Sequence, residues 1–188
     1  MGGRVVVFLL IMMIKLSKEE MLREWKRRKG MLPVSTSTLQ VVGVENQSVD
    51  EMLQAEIDDW YAALLAKGET EFLPVRDFAG DVSARDMDDG SVEVELPAEC
   101  VRVVSVRMSG WRRPARVVEE CDGALARLQT SRYVSGKCCC PVAVKRGRRL
   151  TLYSKCGEGK ITELICVAAP DDGSYVFERE ALFTIHNS

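Results

Sequence analysis

The sequence predicts an α+β fold in which N-terminal helices pack with an antiparallel β-sandwich or small open barrel. Two observations predict this class. Residues 16–70 carry helix-capping patterns and apolar side chains at helical spacing. Residues 71–170 carry short, Val-rich, alternating segments separated by turns and form a β-rich module. Residues 1–15 are an apolar N-terminal segment and residues 171–188 a C-terminal closing segment.

Composition sets limits on the class of protein. The chain has 188 residues, 46% of them hydrophobic, which is enough to bury a core. Its formal net charge of −2 lacks the basic excess typical of a dedicated nucleic-acid binder. Local basic clusters at residues 26–29, 112–116 and 145–149 are compatible with a surface that lies near DNA, although solvated faces explain such clusters more often.

The N-terminal apolar run, residues 5–14, is too short to cross a bilayer, which takes about 20 residues. It has the character of a secretory signal core, but no small-residue cleavage site follows it. It also fits a buried helix or strand, or an over-extended gene start with translation beginning at Met12 or Met13. The last interpretation is favoured because MIKLSKEEM is typical of a cytosolic N-terminus.

Two helices are predicted from capping boxes. Ser17 and Glu20 begin a helix over residues 17–29, which Gly30 ends. Ser48 and Glu51 begin a second helix that runs to residue 67, with Gly68 as its C-cap.

Alternation and turn residues predict the remaining elements. A modest helical pattern covers residues 122–129, and the final YVFEREALFTI is expected to form a short helix that packs beside the N-terminal pair. In the segment 101–108, strict alternation places residues 101, 103, 105 and 107 on one face. The predicted strands are 71–75, 92–96, 101–108, 116–118, 141–145, 150–154 and 161–168.

The distribution of reactive residues singles out no catalytic residue, no cofactor site and no metal site, and so favours a protein that is not an enzyme. A small hydrolase that uses Asp and Glu is the enzymatic alternative, although no particular carboxylate is singled out. The only histidine is His186, and the seven cysteines include no C-x-x-C pair. Phosphate-binding glycine loops and nucleophile elbows are absent from the sequence. We expect reduced, mostly buried thiols rather than a disulfide framework.

Three segments together carry a family resemblance: VELPAECVRVVSVRMSGWRRP, the hairpin PVAVKRGRRLTLYS, and ITELICVAAP. With the capped helices before them, they resemble the head-to-tail adaptor proteins of tailed bacteriophages, the tail tubular protein A or connector-ring group. In that family a strand after Leu-Pro leads a sheet, here Leu96-Pro97, and a later strand follows a tight hairpin, here from Leu150. The resemblance covers roughly residues 48–170. The C-terminal helices of many adaptors are curtailed here.

The resemblance implies a non-enzymatic virion structural protein that is assembled in the bacterial host cytoplasm. It would form a homo-oligomeric ring of about a dozen copies that docks phage portal and tail proteins, with no small-molecule substrate. Trp111, in a turn beside Arg112 and Arg113, is the main interface candidate, and Trp111→Ala is expected to weaken assembly while sparing the fold. Further interface candidates are Trp25, Arg146 and Arg148. The alternative function is a bacterial cell-envelope or surface-associated binding domain, with residues 1–15 as signal or anchor.

Overall fold

A computed structural model describes residues 13–31, 45–120, 123–129 and 139–182. The chain divides into two compact units, one comprising residues 1–74 with 170–188 and the other Val75–Ala169. Helices and sheets, mostly antiparallel, occur together, which confirms the predicted α+β class, and no barrel closes within the described ranges. The helices are α1 Lys18–Arg28, α2 Glu45–Lys67 and α3 Gly123–Leu128. The strands are β1 Met13–Leu16, β2 Val75–Asp77, β3 Ala84–Asp86, β4 Val92–Glu95, β5 Cys100–Met108, β6 Arg116–Glu119, β7 Val142–Arg146, β8 Arg149–Leu152, β9 Ile161–Ala168 and β10 Tyr175–Glu178.

Of the two capping boxes predicted in the first unit, one is confirmed and one is wrong. At α1, Ser17 Oγ accepts from the Glu20 backbone N–H at 3.2 Å, and Glu20 accepts from the Ser17 N–H at 2.8 Å. The predicted capping box at Ser48 is wrong, because α2 already begins at Glu45 and Ser48 lies inside it. Extending a helix that is already nucleated costs little, so a local capping pattern does not fix its first residue.

Gly68, directly after the last residue of α2, has no room for a side chain. The Gly68 N–H donates to the Leu64 carbonyl at 2.7 Å. A Cβ built on Gly68 would lie 2.6 Å from that carbonyl oxygen and 2.8 Å from Leu64 Cδ1. A backbone oxygen cannot move aside as a flexible side chain can, so any larger residue would force the last turn of α2 to shift.

The C-terminal segment forms a strand where a closing helix was predicted. β10 pairs antiparallel with β1, from Met13 opposite Glu178 to Leu16 opposite Tyr175, and a short helical turn follows over residues 179–182. The helix prediction is wrong because the buried side chains, Tyr175 and Phe177, alternate with period two. β1 includes residues 13–16 of the apolar N-terminus, and the rest of that run lies outside the described residues.

An aromatic cluster forms the core of the first unit and joins α1, α2 and β10. The ring centroids of Trp25 and Trp60 are 5.4 Å apart, and Trp60 meets Phe177 edge-on at 5.4 Å. Tyr61 meets Tyr175 edge-on at 5.1 Å. Such edge-to-face pairs stabilise by about 0.5–1.5 kcal/mol beyond the area they bury.

The second unit contains a three-stranded sheet in the order β2-β9-β5 and a five-stranded sheet in the order β3-β4-β8-β7-β6. The predicted antiparallel arrangement is wrong at one place, since β6 and β7 run parallel. Parallel neighbours need a crossover of a dozen or more residues. Residues 120–141, which include α3, provide it.

The two sheets enclose one hydrophobic core, to which Phe78, Val92, Leu150 and Leu164 contribute fully buried side chains. On one side the sheets are linked, because the Ala115 N–H donates to the Val106 carbonyl at 2.8 Å. The result is a two-sheet module that encloses a core without closing into a barrel.

β5 departs from the predicted alternation. Its buried residues are Cys100, Val103, Val106 and Met108, a spacing that strict period two does not allow. The pairing with β9 shifts register after Cys100, after Val103 and after Arg107. The first two shifts each insert an unpaired residue into β5, Val101 and then Val104, and turn the following side chains to the other face, whereas the third inserts Thr162 into β9.

β3 was not predicted from the sequence, but most of the other strands that were predicted match the structure. The exception is residues 71–75, where a 3-10 helix covers Thr70–Phe72 and the strand begins only at Val75. Pro74, directly before β2, has no N–H to donate to a ladder. The predicted strands at 92–96, 116–118, 141–145, 150–154 and 161–168 are confirmed to within two residues, as is the helix at 122–129.

Candidate interaction surface

Trp111 is part of the core of the second unit and anchors the turn after β5. Only 6% of its surface is exposed, and its indole Nε1 donates to the Ser154 carbonyl at 2.8 Å. The neighbouring Gly110 has φ of 83°, and a Cβ there would lie 3.0 Å from Cys156 Cβ. The Ser109 N–H donates to the Lys160 carbonyl at 2.7 Å. Contacts with residues 154–160 therefore hold the turn in place, and its tryptophan does not project into solvent.

Three exposed arginines lie on the outside of this turn, Arg112, Arg113 and Arg116. We refer to residues 112–116 as the basic turn. Arg113 Nε donates to the Cys139 carbonyl, and its Nη2 lies 3.1 Å from Cys140 Sγ. None of the three arginines forms an ion pair with another described residue. The turn thus presents uncompensated positive charge on a rigid support.

Arg146 and Arg148 lie elsewhere, in the β7–β8 hairpin whose turn contains Gly147 with φ of 58°. Arg146 pairs with Glu120 at 2.7 Å. The guanidinium of Arg148 donates twice to the Leu96 carbonyl, at 3.0 and 3.2 Å. Because this hairpin follows the end of β7, whereas β6 and β7 begin side by side, it lies at the opposite end of the sheet from the basic turn.

Trp25 belongs to the first unit and is 2% exposed. Its indole N–H has no hydrogen-bond partner among the described residues. Sequence reasoning grouped it with Trp111 because tryptophan is enriched at interface centres. Both tryptophans are core residues here, and the exposed members of the predicted set are the arginines.

A polar cluster in the first unit connects α2 to β10. Tyr175 Oη donates to Asp58 at 2.5 Å and accepts from Gln54 at 2.5 Å. Tyr61 Oη accepts from the Val176 N–H at 3.0 Å and donates to the Val176 carbonyl at 3.1 Å. Burial raises the pKa of Tyr175, which keeps its hydroxyl as a hydrogen-bond donor to Asp58.

The cysteines correct the expectation of reduced, mostly buried thiols. Cys156 is disulfide-bonded and therefore not a reduced thiol. Cys139 and Cys140 are free and exposed, because they lie in a turn before β7 rather than within a strand. Cys100 and Cys166 are free and buried, and the hydrogen bond between their side chains raises the pKa of Cys166.

The described residues include a groove of about 250 Å³ in the first unit, lined by Ile14, Leu16 and Leu182 with arginines along its rim. Within these ranges, no group of three or more His, Cys, Asp or Glu side chains is placed to hold a metal ion. Among the described helices, none combines the length and apolarity of a membrane crossing.

Comparison with known proteins adds no family. The chain matches no protein-family model, and no curated protein or solved structure is significantly similar to it.

Sequence reasoning missed the contact between Arg113 and residues Cys139 and Cys140. Arg113 is 26 residues from Cys139 and 27 from Cys140 in the chain, and only the parallel pairing of β6 with β7 brings them together. An arginine shortly before β6 and cysteines shortly before β7 would have been a usable signal, had the parallel pairing been recognised.

Proposed function

We propose that the chain is a non-enzymatic subunit of the connector ring that joins head and tail in a tailed bacteriophage. It would assemble in the bacterial host cytoplasm, become part of the virion, and contact the portal on one side and a tail component on the other.

One observation carries this proposal: the two motifs behind the family resemblance adjoin each other in the β-rich unit. The Leu96 N–H donates to the Arg148 carbonyl at 2.8 Å, and the Arg148 guanidinium donates back to the Leu96 carbonyl. Leu96-Pro97 precedes β5, and Leu150 lies in β8 after a tight hairpin, as the adaptor pattern leads one to expect. The motifs thus contact each other directly, and the strands that they lead, β5 and β8, belong to the two different sheets of the unit.

The presence of a separate core in each of the two units also suits a mechanical role. The β-rich unit has its own core, and the first unit has a separate aromatic core. A ring subunit must keep its shape while its flanks contact two neighbours, since a closed ring is built from head-to-tail contacts between unlike surfaces.

The direct test is the assembly state of the full-length chain. We expect light scattering after size-exclusion chromatography to show concentration-dependent oligomers, and negative-stain electron microscopy to show closed rings of about a dozen copies. The portal protein encoded nearest to this gene should co-purify with the rings.

A chain that stays monomeric at high concentration and binds neither portal nor tail protein would exclude the connector function. A further control is the gene's neighbourhood: a connector gene should lie beside genes for portal, capsid and terminase.

A further inference from the structure

The strand registers place four chain segments at one end of the five-stranded sheet. Arg116 at the start of β6 lies opposite Val142 at the start of β7. Leu152 at the end of β8 lies opposite both Ala143 and Val92. The β3–β4 turn, which directly precedes Val92, is therefore at the same end of the sheet as the basic turn.

That β3–β4 turn is acidic and exposed. Residues 86–90, the acidic turn, read Asp-Met-Asp-Asp-Gly. Asp86 forms an ion pair with Lys155 at 2.7 Å, whereas Asp88 has no ion pair or hydrogen bond to another described residue. Met87 is 38% exposed. Gly90 N–H donates to the Met87 carbonyl at 3.0 Å, which closes the turn. Hydrogen bonds from the Ser91 hydroxyl and N–H hold the pKa of Asp89 below its usual value, so this carboxyl stays charged.

The two turns lie on opposite flanks of the same sheet. β3 and β6 are its two edges, with β4, β8 and β7 between them. Four inter-strand spacings of about 4.8 Å separate these edges by roughly 19 Å. One subunit therefore carries a positive turn next to one edge strand and a negative turn next to the other, both at the same end of the sheet. Between the turns, Ser154 and Lys155, which follow the central strand β8, contact Trp111 and Asp86.

We propose that the basic turn of one copy docks against the acidic turn of the next copy in the ring. This inference rests on the connector function and names the contact that closes the ring. A head-to-tail ring requires complementary surfaces on opposite flanks of one subunit, which is how these two turns are placed. The contacts would pair Arg112 with Asp88 and bring the exposed Pro114 beside Met87.

Two features favour a second copy of the chain as the occupant. Both turns are braced, one by Trp111 and the other by the Ser91 hydrogen bonds, so docking costs little conformational entropy. The acidic turn would repel nucleic acid, whereas it complements the basic turn of a neighbour.

The test uses two full-length variants and their mixture. Arg112→Glu reverses the basic turn, and Asp88→Arg reverses the acidic turn. Each variant alone would face like charges at every contact. Mixed in equal amounts, the variants can alternate: Glu at position 112 meets Arg at position 88, and the other contact is the original pair.

Matched controls reverse charge at the far end of the same sheet. Arg149 begins β8 and Glu95 ends β4, opposite each other and away from both turns. Arg149→Glu and Glu95→Arg should assemble like the wild type. Circular dichroism of all variants should match the wild type, because the reversed side chains are exposed.

Sedimentation velocity across a concentration series would measure assembly. We expect each turn variant alone to need about tenfold more protein to assemble, and the mixture to recover most of the wild-type behaviour. If the wild type forms rings and both variants do so equally well, the docking contact is wrong while the connector function stands. The docking contact is also wrong, and the connector function still stands, if neither variant assembles alone and their mixture does not assemble either. The same conclusion follows if Arg112→Glu weakens DNA binding and leaves assembly unchanged. A wild type without rings or partner binding excludes both proposals.

Discussion

At the scale of single residues, exposure divides the interface candidates that the sequence placed together at the turn after β5. Trp111 packs in the core of the β-rich unit and binds the Ser154 carbonyl, whereas Arg112 and Arg113 face solvent. The expectation that Trp111→Ala would spare the fold therefore conflicts with its position. Any surface role of this turn belongs to its exposed arginines, whereas the buried tryptophan holds the backbone of the turn in place.

We predict that Trp111→Ala destabilises the β-rich unit by about 3–5 kcal/mol, because it leaves a cavity and removes the hydrogen bond from the indole to the Ser154 carbonyl. Urea unfolding followed by circular dichroism would measure this loss. Arg112→Ala is the matched control and should change the free energy of unfolding by less than about 0.5 kcal/mol. A Trp111→Ala protein with wild-type stability would show that the side chain does not pack as described.

Glu24 in α1 offers a prediction on pH. Hydrogen bonds from Arg27 and Arg28, set against partial burial, lower its pKa from 4.5 to about 2. A lowered folded-state pKa gives stability that is complete above pH 4.5 and lost as pH falls toward 2. Glu24→Gln should remove this component, so the stability gap between wild type and variant should narrow between pH 5 and about 2.5. Tryptophan fluorescence during urea unfolding would follow the first unit if Trp111 of the second unit is replaced by Phe in both proteins, because only Trp25 and Trp60 then emit. An unchanged stability gap between pH 5 and about 2.5 would contradict the assignment.

At the scale of elements, the sequence predicted what local chemistry determines. The capping box at Ser17, the hairpin at Gly147 and the apolar strand Ile161–Ala168 were all identified correctly. The errors arose where the conformation of a segment depends on pairing with a strand that is distant in the sequence. β10 is a strand because β1 pairs with it, and the bulges in β5 depend on its register with β9. Neither partner is visible in a local window of sequence.

The free edges of the β-rich unit show a feature that sequence patterns did not reveal. β3 has one neighbour, and the Met87 N–H donates to the Ser91 carbonyl, so Met87–Ser91 is a bonded pair. Hydrogen-bonded and non-hydrogen-bonded residue pairs alternate along an antiparallel ladder. The backbone N–H and C=O groups of Ala84 and Asp86 therefore point away from β4, toward the open edge of the sheet. A second copy of β3 added antiparallel there would place Arg85 opposite Arg85. Such charges protect an edge strand from pairing with other molecules.

We therefore predict that Arg85→Val promotes aggregation, because it removes the repulsion at an open edge. Turbidity and light scattering during incubation at raised temperature would measure it. Arg149→Val is the matched control, since Arg149 lies in β8, which has neighbours on both sides. Equal aggregation of the two variants would mean that overall charge, and not the edge, controls solubility.

At the scale of the whole molecule, the sequence predicted the α+β class but not the arrangement of charge. The basic and acidic clusters, near Arg112 and Asp88, are evident in the sequence as separate runs. Their placement on opposite edges of one sheet follows from the strand order β3-β4-β8-β7-β6, which includes a parallel pair that local alternation cannot indicate. With a net charge of −2, the chain as a whole gives no sign of either surface.

The charge arrangement leads to a prediction on ionic strength. If opposite charges close the ring, assembly should weaken as sodium chloride rises from about 0.1 M to 1 M, because the screening length falls from about 10 Å to 3 Å. The concentration of protein at half-assembly, measured by sedimentation at each salt level, should rise for the wild type and fall for Arg112→Glu, because salt screens the repulsion between the like charges at the contact of that variant. Assembly dominated by apolar contacts would instead be insensitive to salt or strengthened by it. An identical salt response in wild type and variant would place the ring contact away from the basic turn.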